Sequence, residues 1–298
     1  MPDISFWNKC DNRCVMCTNT PAFAAQDPAQ YGLKRQIKKL ERYLHGLGPV
    51  YHKNDGKADF ISLTGGEPCR HPDFFSLLSY FRQRLPGVEI LLLSNGRRFA
   101  DKDFTRRFLK IAGPPFIVAV PVHGPSPRLH ELVAGGRGAF GETIGGLRNL
   151  LAAPAGVRVE IRLVLHRLNI REFGKTLLFL RGRFPDPAGY RVVVIHYEIE
   201  GRSLKNHKLL ALRLSDSARI INGAAGLING FPDLSLYHFP LCLIKKELRS
   251  RCRITLPEED RIYTEQCGGC AGRARCLGLM LGYYRAFGGG ELKRLGPD

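Results

Sequence analysis

Short apolar runs alternate along this chain with stretches whose apolar positions recur every three or four residues. Residues 4–7, Ile-Ser-Phe-Trp, read as a first strand. Leu33, Ile37, Leu40, Leu44 and Leu47, with Lys and Arg between them, predict a helix that Gly46 and Gly48 stop. A second strand over 60–63 precedes a helix opened by Pro72, with Phe74, Leu77, Leu78, Phe81 and Leu85 on its apolar face and Pro86-Gly87 as its stop. Residues 88–93 form a third strand that ends in the turn signal Ser94-Asn95-Gly96. A helix over 104–111, a strand over 116–122 ending at His123-Gly124-Pro125, and a helix marked by Phe140, Ile144, Leu147 and Leu151 follow. The fifth strand has period two, with Val157, Val159, Ile161, Leu163 and Leu165 on one face and Arg158, Glu160 and Arg162 on the other. That charged face is either solvated or lines a cavity. A helix over 170–180 and a sixth strand over 192–200, placing His196, Glu198 and Glu200 on one face, complete the alternation.

Alternating strands and helices imply an α/β domain with a parallel sheet and right-handed crossovers. A closed eightfold barrel needs roughly 250 residues, more than the alternating part provides. After Gly201 the segments shorten, so Gly201 is the boundary between a domain over 1–200 and a smaller one over 201–298. No internal repeat or low-complexity linker is visible.

Chemistry enters directly after the first strand, where Cys10, Cys14 and Cys17 stand in the spacing C-x3-C-x2-C. Three thiolates on one loop suit three irons of a [4Fe-4S] cubane and leave the fourth iron open. A zinc site wants a fourth ligand nearby, and the next cysteine, Cys69, is far along the chain. The second strand runs into Thr64-Gly65-Gly66-Glu67-Pro68, a bare backbone with one carboxylate at a strand end, able to accept an ammonium group.

These two motifs together resemble the radical S-adenosylmethionine (SAM) superfamily. The resemblance implies a partial (β/α)6 TIM barrel with both motifs on its C-terminal edge. It implies that Cys10, Cys14 and Cys17 ligate the cluster while the amine and carboxylate of SAM chelate the open iron. Met16 would lie near the adenine, Gly65, Gly66, Glu67 and Pro68 would bind the amine, Asn95 would join the SAM contacts, and Arg162 would meet the SAM carboxylate. Reductive cleavage of SAM would then give a 5'-deoxyadenosyl radical that abstracts hydrogen from a substrate, with an external one-electron reductant as partner.

Composition narrows the setting. The 298 residues carry 45 Lys and Arg against 27 Asp and Glu, a net charge of +18, which favours an acidic partner such as an acidic peptide or RNA. The basic clusters at 34–39, 97–98, 202–208 and 245–253 each read as solvated faces before they read as sites. No apolar run is long enough to span a membrane and no signal peptide is visible, so the chain reads as cytoplasmic and not membrane-bound. Nine cysteines in such a chain suit metal ligation over disulfides.

The tail holds a second set, Cys242, Cys252, Cys267, Cys270 and Cys276. C-x2-C-x5-C resembles the core of SPASM and twitch domains, which implies an auxiliary [4Fe-4S] cluster on Cys242, Cys267, Cys270 and Cys276. Zinc is the alternative, since four thiolates suit a closed tetrahedral site. Cys252 is a spare that either replaces Cys242 or stands as a free thiol near the substrate, and Cys69, His123 and His196 read as packed or satisfied groups.

Finer similarity, in Cys14-Val-Met-Cys17-Thr-Asn, the segment 93–101, Gly138-Ala-Phe-Gly-Glu-Thr-Ile144, the strand 159–166 and Pro240-Leu-Cys-Leu-Ile244, is to the radical SAM maturases of His-Xaa-Ser peptide systems. The chain departs from them by starting at the first barrel strand and in the segment 201–237. The function implied is oxidation or cross-linking of a ribosomally made peptide. RNA-base or small-metabolite modification is the alternative enzyme reading, and a non-catalytic Fe-S binding protein the alternative of another class.

Overall fold

The computed structural model describes residues 3–46, 60–152 and 156–297. The strands are β1 (Asp3–Trp7), β2 (Phe60–Gly65), β3 (Glu89–Leu93), β4 (Phe116–Pro121), β5 (Arg158–Leu165), β6 (Arg191–His196), β7 (Leu234–Tyr237) and β8 (Cys252–Arg253). They follow one another in sequence order in one eight-stranded sheet. The pairs β1–β2, β2–β3, β3–β4, β6–β7 and β7–β8 are parallel. The six expected strands are present, and two more lie past Gly201 in the same sheet. Four residues in β7 and two in β8 are too few to show a period, which is why the alternation undercounts them.

One compact unit comprises Met1–Arg13, Asn19–Pro121 and Ala134–Ile161. Its sheet is apolar where helices cover it: Ile4, Phe6, Ile61, Leu63, Ile90 and Leu92 are all fully buried. Helices Phe74–Arg84 and Lys102–Ala112 supply an aromatic layer, with Phe74 stacked on Phe104 at 5.6 Å and Phe6 edge-on to Phe81 at 5.5 Å. Asp101 caps the second of these, accepting from the N–H groups of Asp103 and Phe104. The helix Leu33–Leu44 follows its apolar repeat, while Leu47 and Gly48, given as its end, lie outside the described residues. The charged face of β5 is not simply wet, because Glu160 is buried.

The second unit comprises Cys14–Thr18, Val122–Val133 and Arg162–Asp298. The expected sixth strand stops at His196, so Glu198 and Glu200 leave the face they were expected to share with it. Beyond His196 the chain turns into the helix Gly201–Lys205, and Ser203 Oγ donates back to the Glu198 carbonyl. The tail packs on fully buried Tyr283, whose hydroxyl accepts from the Leu214 N–H at 2.9 Å. An unexpected helix, Pro127–Ala134, is too short for its apolar period to register. No described helix is long and apolar enough to cross a membrane.

Candidate functional site

The loop leaving β1 is held by the turn that ends β2. Gly66 N–H donates to the Trp7 carbonyl at 2.6 Å and Glu67 N–H to the Lys9 carbonyl at 2.8 Å. A Cβ on Gly65, whose φ is +121°, would lie 2.3 Å from the Trp7 oxygen, and one on Gly66 would lie 2.3 Å from the Lys9 oxygen. Only glycine lets these two backbones touch. The glycine pair therefore fixes the residues that lead into Cys10, and Asn19 adds a bond from its side-chain amide to the Gly65 carbonyl at 2.5 Å.

Glu67, expected in the turn that binds the SAM amine, has its carboxylate inside the protein. It is buried, and its oxygens accept from Cys69 N–H at 3.0 Å, Ser94 Oγ at 2.8 Å and Asn95 N–H at 2.6 Å. Burial raises its pKa above the ordinary carboxylate value against the pull of those bonds. Its role here is to tie the turn after β2 to the turn after β3.

Asn95 continues the chain of contacts, donating from Nδ2 to Asp11 Oδ1 at 2.6 Å and accepting from Arg97 N–H at 3.0 Å. Arg97 Nη1 donates to Asn12 Oδ1 at 2.9 Å and to the Asp11 carbonyl at 3.1 Å, and its Nε pairs with Glu142. Cys10 Sγ accepts from Asn12 N–H at 3.3 Å. Gly135, at φ +62°, would set a Cβ 2.6 Å from the Arg13 oxygen, and Arg13 N–H donates to the Ala134 carbonyl at 2.8 Å. Asp11, Asn12, Arg97 and Gly135 are organising residues that the sequence reading missed. The glycine pair Gly135-Gly136 was the one local signal of a close backbone approach.

In the second unit, Val15 N–H donates to the Val133 carbonyl at 2.9 Å, Asn206 Nδ2 to the Val15 carbonyl at 2.8 Å and Ser203 N–H to the Cys17 carbonyl at 3.0 Å. These bonds bracket Met16, which is half-buried between Cys14 and Cys17. Arg162 is half-buried on β5, with its carbonyl accepting from Val122 N–H at 2.9 Å. Cys10 is exposed and Cys14 and Cys17 are half-buried, and none of the three is in a disulfide. No three His, Cys, Asp or Glu among the described residues are gathered as ligands of one metal ion. A cubane asks for less convergence than a single metal ion, since each iron takes its own thiolate.

The tail brings Cys242, Cys267, Cys270 and Cys276 to the wall of one pocket. Backbone N–H groups point at three of the sulfurs: Lys293 at Cys242 (3.5 Å), Leu295 at Cys270 (3.4 Å), and Leu241 and Gly278 at Cys276 (3.3 and 3.4 Å). Such donors stabilise thiolates and tune a cluster's potential. Burial pushes the Cys242 and Cys276 thiols up, which metal ligation would reverse. Cys252 stands outside this wall, and burial followed by the neighbouring Cys276 pushes its thiol up to about 12, which favours the neutral thiol over the reactive thiolate. Cys69 is likewise packed, its Sγ 3.6 Å from Ser94 Oγ.

A row of histidines is also present. His123 follows β4 by two residues, His166 directly follows β5, His196 ends β6 and His238 directly follows β7, and all four are buried. His196 Nδ1 meets Ser217 Oγ at 3.0 Å, and His238 Nδ1 meets the His196 carbonyl at 3.0 Å. Both ring nitrogens of His123 and of His166 lack a hydrogen-bond partner among the described residues, so His123 is not the satisfied group expected. Burial lowers the pKa of His166 to about 4 and of His196 to about 3, lowers that of His123 well below the ordinary value, and favours the neutral form of all three.

The radical SAM superfamily model matches residues 4–180, a span that takes in the cysteine loop, the Gly-Gly-Glu-Pro turn and the strands through β5. This chain belongs to the radical SAM superfamily. Among curated relatives, the radical SAM chain is 27% identical over 165 residues to the mycofactocin maturase MftC of Mycobacterium tuberculosis, covering 55% of itself and 37% of that protein. Among solved structures it superposes on Streptococcus suis SuiB bound to S-adenosylmethionine, with a TM-score of 0.57 and 16% identity over 88% of this chain and 54% of that one. It also superposes on anSMEcpe with bound AdoMet, with a TM-score of 0.56 and 14% identity over 78% and 63%. These superpositions establish a shared fold. The chain spans little more than a third of MftC and about half of SuiB.

Proposed function

We propose that this radical SAM protein holds a [4Fe-4S] cluster on Cys10, Cys14 and Cys17 and modifies a ribosomally made peptide by oxidation or cross-linking. The observation that supports the reading is the lock between the Gly65-Gly66 turn and the backbone leading into Cys10, the two motifs expected to bind SAM and the cluster. Cluster and SAM, when bound, supply hydrogen-atom abstraction. The protein's part is to bind and orient. The turn over Gly65 to Pro68 is the candidate for the SAM amine, with its backbone carbonyls as acceptors because the Glu67 carboxylate is buried. Met16, Asn95 and Arg162 are the remaining SAM-contacting candidates, Asn95 acting also through its bond to Asp11. Past Gly201, taken as the boundary of a twitch-like tail, Cys242, Cys267, Cys270 and Cys276 are the ligand set of an auxiliary [4Fe-4S] cluster.

A peptide substrate is supported by what the relatives are. MftC is named a maturase, and SuiB has been solved with its precursor peptide SuiA. The likeness to His-Xaa-Ser maturases makes a peptide of that kind the first candidate, with an external one-electron reductant as second partner. The test is label transfer in the anaerobically reconstituted protein. A candidate peptide deuterated at the attacked carbon should return about two hydrogens lighter and leave deuterium in 5'-deoxyadenosine. Deuterium arriving from RNA, with none from any candidate peptide, overturns the substrate assignment.

A further inference from the structure

Beside the four-cysteine pocket lies a larger cavity of about 450 Å³ that shares Leu241, Gly272 and Leu295 with it. Lys246, Arg249, Arg253 and Arg275 line this cavity, and no carboxylate and no aromatic ring does among the described residues. A basic run in a sequence is most often a solvated face. Here Arg275 comes from a separate segment to join the cluster at 246–253 around one concavity.

Two of the guanidinium groups are held in place. Arg249 Nε donates to the carbonyls of Leu241 at 3.2 Å and Ile244 at 3.1 Å. Arg253 Nη1 donates to the carbonyls of Ser250 at 2.5 Å and Cys252 at 3.0 Å. The bonds of Arg249 and Arg253 go to backbone carbonyls and not to carboxylates. Like charges fixed around a concave wall repel one another until an anion arrives, and a pre-set guanidinium fork loses little freedom when it binds a carboxylate.

We infer that this cavity is a binding site for acidic side chains of a peptide, seated next to the auxiliary cluster pocket. The inference rests on the peptide reading above and adds where and by what chemistry the peptide is held. The cavity is larger than a single phosphate ion needs, and its lining joins Leu241 and Leu295, which suit the methylenes of Asp and Glu, to the basic side chains that suit their carboxylates. An RNA site would call for rings on which bases stack, and this lining has none.

The probe is a fluorescent, end-capped hexapeptide of alternating Asp and Glu, titrated by anisotropy into the full reconstituted chain without SAM or reductant. Its counterpart of alternating Asn and Gln is the control. The expected result is salt-sensitive binding of the acidic peptide only, weakened about tenfold or more in Arg253→Gln/Arg275→Gln with Arg249 left intact. Both substituted residues are exposed, and unchanged iron content and circular dichroism show that the variant is folded. Equal affinity in wild type and variant overturns the inference. So does pyrophosphate or a short RNA that binds the wild type more tightly than the peptide and loses binding in the variant. Because nothing turns over in this experiment, loss of peptide binding leaves SAM cleavage standing, and loss of SAM cleavage leaves this result readable.

Discussion

Glu67 shows how a motif residue acts at the scale of single atoms. Its buried carboxylate accepts one hydroxyl and two backbone N–H groups, and through Ser94 and Asn95 it joins the ends of β2 and β3. In Glu67→Gln, either placement of the new amide turns an N–H against a backbone N–H, that of Cys69 or that of Asn95. Leaving buried donors unmet costs about 1–3 kcal/mol, so the urea midpoint should fall accordingly. A midpoint equal to wild type would show that the turn does not depend on this junction. The presence of Glu67, Gly65 and Gly66 was legible because the motif is contiguous in sequence. Its inward direction was not, because Ser94 and Asn95 lie on another strand end and nothing in the sequence marks them as donors to it. Asp11 and Arg97 escaped for the same reason, being joined to Asn95 and Asn12 only in the fold.

At the scale of elements, periodicity located every strand through β6 and the main helices between them, and it failed where elements were short. β7, β8 and the helix Pro127–Ala134 offer too few residues for a period to emerge. The row His123, His166, His196 and His238 is invisible in sequence because strand order alone aligns residues so far apart. It has a consequence for stability. Burial favours the neutral form of His166, His196 and His123, with pKa values of about 4 for His166 and about 3 for His196 and a lowered one for His123, against about 6.5 unfolded. The unfolded chain therefore binds more protons below about pH 6.5, and each such group removes up to about 1.4 kcal/mol per pH unit as pH falls from there toward its folded value. Glu67, whose folded pKa is raised, contributes in the opposite sense, so the variant-to-wild-type difference is the informative quantity. Denaturation of His166→Asn at pH 7.5 and pH 5.5 should show a smaller acid loss than wild type. An identical loss would mean that His166 is not held neutral.

At the scale of the whole molecule, the two cysteine sets lie at opposite ends of the sequence, and each has its own scaffold. The loop 10–17 is braced by the turn after β2 and by the bonds to Val15 and Cys17, and the tail set by backbone donors from 241, 278, 293 and 295. Cys242 lines the tail pocket and Cys252 does not, a difference that sequence spacing could not show because both precede C-x2-C-x5-C at loop distances. Two separate cubanes predict about eight irons per chain, falling to about four in Cys267→Ala/Cys270→Ala. Stoichiometric zinc with only about four irons in the wild type would instead make the tail a structural zinc site.

The central claim is that Cys10, Cys14 and Cys17 hold the cluster with which this protein cleaves SAM. It is tested most directly by 5'-deoxyadenosine formation from SAM and dithionite under anaerobic conditions, with wild type set beside Cys10→Ala/Cys14→Ala/Cys17→Ala. Wild type should form 5'-deoxyadenosine, while the triple variant forms none yet retains about four irons in its tail. Undiminished 5'-deoxyadenosine from the triple variant would contradict the claim.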